Sequence, residues 1–365
     1  MSRRTRIQTP SPRITRIPED LGRGMFELPQ PGRTRVNPPT SSGAIVMALG
    51  IFSVAALPRL PFTASLTGAA AAIVSVAWLA IAGAFAVSVW SHGLHSRWIE
   101  PIVDSFGIGT WVASTAVLAR VLMLAEPANP WPARMAFAVS VLLWLWFMPR
   151  AVANLFRLTR AHLRPSGIIL LSTVATQAVA LIALRLFPSS LVVGTAAAAL
   201  MALGAGSYGL GSFLVVRGYV RGGWQLATDW ANGNCILHGA LSITGLTAMV
   251  SGRFGATTIL YYWATVILVF GVVEAIEIAR LAARMSMAGW RAAILVYDVS
   301  QWARNFTFGM LYAFTLAFAH RYPIVPDHPA LDSLRDFVLA YGAYAVLVLL
   351  VAETALMLGA RPAHE

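Results

Sequence analysis

An all-α membrane protein is what this sequence predicts, and three features carry the prediction. Hydrophobic residues make up 58% of the chain, charged residues only 12%, and mean hydropathy is +0.68. A soluble chain of 365 residues needs far more charge to cover its surface. The apolar residues also arrive in blocks of about twenty, the length that crosses a hydrocarbon core as a helix. A soluble core would give shorter runs with periodic polar faces.

Ahead of the first block, residues 1–41 are polar and rich in Arg and Pro, without the apolar core of a signal peptide. They read as a disordered cytoplasmic tail. Ten apolar segments follow within a transmembrane domain at 42–358: 42–58, 63–90, 105–125, 132–148, 166–187, 190–215, 230–251, 256–279, 293–320 and 334–358. Pro58, Pro61, Pro130, Pro132, Pro188 and Pro323 mark breaks between them. The connections after the first, third, fifth and seventh segments are very short, so five hairpins is the simplest description. Residues 359–365 form a short cytoplasmic tail.

Arginine sets the expected orientation. Eight lie in the N-terminal tail, and Arg150, Arg157, Arg160 and Arg164 fill the loop between spans four and five. Arg217 and Arg221 follow span six; Arg280, Arg284 and Arg291 follow span eight. The other side carries scattered residues such as Arg59, Arg134, Arg185, Arg253 and Arg321. The positive-inside rule then puts both termini in the cytoplasm of a cell carrying this chain in its cytoplasmic membrane.

Composition and motifs also exclude functions. The net charge of +12 belongs to the tail and to helix ends, with no basic folded domain to hold nucleic acid. Every basic side chain of the Lys/Arg pair is arginine, which reads as base composition. Cys235 is the only cysteine and forms no internal disulfide. Metal-ligand spacings, a P-loop and a nucleophile elbow are all missing, so neither an enzyme nor a cofactor is expected, nor transport driven by ATP in this chain.

What remains are polar residues inside apolar segments, which are costly to bury. Arg304 is the deepest charge; it either lowers the barrier for an anion or pairs with Glu274 or Asp298, and pairing is the favoured reading. Arg120 sits near the outer end of span three, where it draws anions into a mouth or snorkels. Glu277 and Arg280 extend the face of Glu274 at spacings of three and form an interfacial ladder. Thr110, Thr176 and His238 either line a weakly polar path or hydrogen-bond between helices.

The odd-numbered segments carry a family pattern. The first reads SGAIVMALGIFSVAA, the third DSFGIGTWVASTAVLARVL, the fifth LLSTVATQAVALIALRL, the seventh WANGNCILHGALSITGLTAM and the ninth YDVSQWARNFTFGMLYAFT. In this order and on alternate spans, they resemble the tellurite-resistance/C4-dicarboxylate transporter family, which includes the slow-type plant anion channels. The resemblance covers about 42–358.

It implies ten helices as five hairpins in a pseudo-fivefold ring, with the odd helices around a central pore and the protomers assembled as a homotrimer. It also implies a pore-plugging phenylalanine four residues after Trp302, which is Phe306, and small inorganic or organic anions as the partners besides membrane lipid. Thr307 stands where the family has proline, so the kink there is weaker. Arg304 and Asn305 replace apolar positions and are expected to point away from the pore. The expected function is anion passage gated by Phe306, with Thr307 beside the gate. The alternatives are a proton-coupled carrier for dicarboxylate, sulfite or a tellurium oxyanion, using His238 and Asp298, and a membrane enzyme or assembly scaffold built around a lateral polar cavity.

Overall fold

The computed structural model describes residues 39–61, 63–92, 102–161, 163–323 and 328–360. Residues 1–38 of the expected tail and 361–365 at the other end lie outside them. Every regular element among the described residues is helical. We number the long ones α1 (Thr40–Arg59), α2 (Thr67–His92), α3 (Asp104–Ala125), α4 (Trp131–Arg160), α5 (Gly167–Leu186), α6 (Leu191–Val220), α7 (Asn232–Ser251), α8 (Ala256–Ile294), α9 (Gln301–Arg321) and α10 (Pro329–Gly359). α1 contains a π-helical turn at Phe52–Ala56 and ends in a 3-10 turn.

Several boundaries differ from the apolar segments. Arg150, Arg157 and Arg160, expected in a loop, ride on α4, and Arg217 and Arg280, Arg284 and Arg291 likewise extend α6 and α8. A helix leaving the hydrocarbon keeps its backbone bonds, and arginine is a good helix former, so hydropathy alone ends these helices too early. α4 continues through Pro149, and α8 breaks only at Gly289, whose φ of 79° no other residue type adopts readily. The ninth helix starts at Gln301, eight residues later than expected, because 295–300 turn in a loop.

Nine of the ten helices are long and apolar enough to cross a membrane. The exception is α9, 21 residues long, which carries Gln301, Arg304, Asn305, His320 and Arg321. Its polarity is tolerated because other helices cover it: Trp302, Phe306, Met310, Tyr312 and Phe314 are each at most 2% exposed.

Burial divides the helices into two sets. In the most apolar stretch of α1, α3, α5 and α7, 67%, 67%, 83% and 67% of residues are buried, against 11–33% for α2, α4, α6, α8 and α10. The buried set packs on itself: α1 on α3, α3 on α5, α5 on α7, α7 on α9, and α9 on α1. Each even helix lies over this set, α4 against α3 and α5, α6 against α5 and α7, and α10 against α9.

One contact recurs between the sets. The indole nitrogens of Trp78, Trp144 and Trp263, on α2, α4 and α8, donate at 3.0 Å to the hydroxyls of Thr115, Thr176 and Thr315 on the next odd helix. Each threonine passes its own proton to the carbonyl four residues back, so both groups are satisfied without water.

Candidate functional site

The C-terminal halves of all five odd helices converge on one open cavity of about 310 Å³. Ile51, Val54, Ala55 and Arg59 of α1 line it, with Arg120 of α3, Arg185 of α5, Ile243 and Leu246 of α7, and Met310, Ala313, Ala317 and His320 of α9. The lining is apolar at depth and basic at the mouth. Arg59, Arg120, Arg185 and His320 meet no acidic side chain among the described lining residues. Arg120 and Arg185 are within electrostatic range of each other. Such a cluster repels itself, and the carbonyl ends of the converging helices offset part of that repulsion, since helix C-termini attract cations. An anion entering the mouth offsets the rest.

Phe306 lies inward of this cavity. Phe306, Met310, Ala313 and Ala317 follow a spacing of four, three and four, so they share one face of α9. Met310 lines the cavity floor, and Phe306 sits one turn deeper, about 6 Å along the axis. Both are buried, at 2% and 1% exposure. α9 is gripped closely on both flanks: a Cβ on Gly239 of α7 would run into Thr307, and one on Gly309 would meet Ile51 Cγ2 at 2.6 Å.

Among the expected path residues, Arg120 lines the cavity, and four others do not. Thr110 donates to Gly107 O at 2.7 Å where α3 meets α1 at Gly43. Thr176 faces α4, where it accepts from Trp144. Thr307 presses on Gly239 and donates to Arg304 O at 2.9 Å. His238 points away from the cavity toward α8, edge-on to Phe270 with centroids 5.0 Å apart. The reason is shared: in a packed helix layer, hydroxyls and rings serve helix contacts first. Arg59, Arg185 and His320 were passed over because, read singly, each is one more charge at a helix end; only convergence marks them.

Arg304 joins a charge network on the far side of α9. Its Nη1 donates to Glu274 Oε2 at 2.8 Å, and Nη2 lies 3.2 Å from Glu277 Oε2. Glu277 Oε1 also accepts from Arg280 at 2.8 Å, and Arg280 reaches Asn232 Oδ1 at 2.5 Å. The Nε2 of fully buried His238 stands 3.5 Å from Glu274 Oε1. Asp298, expected as a buried partner, is exposed in the loop before α9 and accepts from the Ser300 amide at 2.8 Å. In that loop, burial pushes the Tyr297 hydroxyl above its usual range, and it accepts from Trp302 Nε1 at 3.2 Å.

A second cavity, of about 360 Å³, opens beside this network between α8, α9 and α10, with Glu274, Glu277, Arg304, Asn305 and Glu353 in its wall. Compared with known proteins, the chain matches no family model and no curated protein.

Proposed function

We propose that the five odd helices form a ring around a path for small anions, which Phe306 closes. The observation that carries this reading is the cavity that α1, α3, α5, α7 and α9 line together, with four basic side chains at its mouth and no acidic one among the described lining residues. The continuous face from His320 and Ala317 through Met310 to Phe306 supports the choice of gate. An aromatic ring at the narrowest level excludes water and hydrated ions, and a rotamer change opens the way. Selectivity comes from width and a diffuse positive field. Under this reading the termini face the cytoplasm, and the assembly is a trimer, for which light scattering in detergent is the check.

Phe306→Ala should raise anion flux in proteoliposomes on the order of tenfold or more, since each ~1.4 kcal/mol taken off a barrier is tenfold in rate. An unchanged flux from a well-folded variant removes Phe306 from the gate.

Two further readings each have an observation behind them. The His238–Glu274 contact and its buried charge network favour a proton-coupled carrier of the same anions. Flux that depends on an imposed pH gradient in wild type, and not in His238→Gln, would favour it. The lateral cavity with three carboxylates in its wall favours a membrane enzyme or scaffold. That reading gains if neither Phe306→Ala nor wild type passes any anion.

A further inference from the structure

The lateral cavity between α8, α9 and α10 has charges that almost cancel. Arg304 and Arg280 occupy Glu274 and Glu277. Glu353 is left over. It is 4% exposed, it makes no hydrogen bond or salt bridge among the described residues, and its Oε1 is sealed off without a partner. Asn305, also 4% exposed, spends its amide nitrogen on Leu349 O at 3.2 Å and leaves Oδ1 unpartnered. Leu349 and Glu353 are one turn apart on α10, so both orphaned oxygens belong to the same α9–α10 seam. Both line the cavity.

Two buried acceptors, one of them an ionisable carboxylate, call for a group that donates hydrogen bonds and carries positive charge. A bare inorganic cation would leave most of the 360 Å³ empty, since a water takes only about 30 Å³. Much of the remaining wall is apolar, with Ile278, Leu281 and Leu356. Ile278 is 69% exposed and Leu281 36%, so the cavity meets the outer flank of the helix bundle, where lipid lies. Arg284 also lines it, without an acidic partner among the described residues; its guanidinium reaches only Ala292 O at 3.4 Å.

We propose that this cavity binds a primary ammonium joined to a phosphate, the chemistry shared by the headgroup of an ethanolamine phospholipid and free phosphoethanolamine. The ammonium N–H groups satisfy Glu353 and Asn305, and the phosphate pairs with Arg284. A choline headgroup has no N–H to give and leaves both oxygens orphaned. This site stands apart from the anion path and does not depend on that reading.

The test uses the full chain in phosphatidylcholine nanodiscs, with and without phosphatidylethanolamine, and counts retained lipid by native mass spectrometry. Wild type should retain phosphatidylethanolamine over phosphatidylcholine. Glu353→Gln and Asn305→Leu should each cut that preference about tenfold, the scale of one hydrogen bond to a charge. Glu353→Asp, which restores the carboxylate, should recover part of it and guards against a variant that merely misfolds. In discs of phosphatidylcholine alone, added phosphoethanolamine should raise the melting temperature of wild type and not of Glu353→Gln if the ligand is a free solute. Stabilisation confined to the phosphatidylethanolamine discs identifies the lipid.

Either source supports the site. Three results overturn it: neither ligand favoured by wild type, a full preference kept by folded Glu353→Gln, or a protonated-acid infrared band at neutral pH that Glu353→Gln removes. The last would mean that a proton fills the place assigned to the ammonium.

Discussion

Arg304 is the residue that most invites a role in transport, and its surroundings assign it to cohesion. It is bound by Glu274 and Glu277 from α8, with side chains 16–18% exposed. Removing one member of such a buried pair strands the other, at a cost of about 3–5 kcal/mol. Arg304→Met should therefore lower the unfolding temperature in detergent sharply, and Glu274→Leu in the same chain should return much of the loss. Should the double variant be no better than the single one, the cost lies in packing and not in charge. Other arginines hold backbone: Arg217 donates to Leu158 O and Thr159 O at 3.0 Å, and Arg164 to Gly222 O and Gly223 O. These clamps tie the end of α4 to α6, so charges that orient the chain also fasten it.

At the scale of elements, α9 is held by steric fit on two flanks and by the indole of α8 on a third. Gly309→Val would push a side chain into Ile51, and overpacking of this kind costs about 1–3 kcal/mol. Ile51→Ala should relieve it, which a double-mutant cycle in thermal unfolding will read. Trp263→Phe should cost less, about 0.5–1.5 kcal/mol, because Thr315 keeps its bond to Leu311 O. A loss from Trp263→Phe larger than that from Gly309→Val would reverse the ranking of packing over hydrogen bonds. The helices themselves were legible in the sequence wherever a long apolar run ends in proline, as at Pro188 between α5 and α6. They were illegible where arginine continues a helix past the apolar run, as in α4 and α8. The Trp–Thr pairs were hidden for another reason: the partners lie 32–52 residues apart and share no local pattern.

For the whole molecule, the basic mouth makes a prediction of its own. Arg120→Gln and Arg185→Gln should each reduce anion flux several-fold at about 0.01 M salt and have little effect at about 1 M, where the screening length falls from about 30 Å to 3 Å. A deficit that persists unchanged at high salt would mean that these side chains act by shape. This mouth also marks the limit of the sequence reading. Arg120 could be singled out from its position in span three, but its companions come from three other helices, and only folding brings them to one cavity. Thr110, Thr176, His238 and Thr307 erred in the opposite direction. Their polarity was visible, while the neighbours that use it, Gly107, Trp144, Glu274 and Arg304, were chosen by packing.

The π turn at Phe52–Ala56 puts a length constraint on the first helix. A turn with an i→i+5 bond holds one residue more than an α turn. Ile51, Ala55 and Arg59, four apart, all reach the cavity, although an α helix would carry each successive one about 40° further around. The surplus residue thus acts as a spacer that sets the azimuth of everything after it. Deleting Ser53 would let the helix revert to the ordinary pitch and swing Leu57–Arg59 by about 100°. The chain would keep every charge it has at the mouth and still lose Arg59 from the cavity, an indel whose effect no substitution at these positions reproduces.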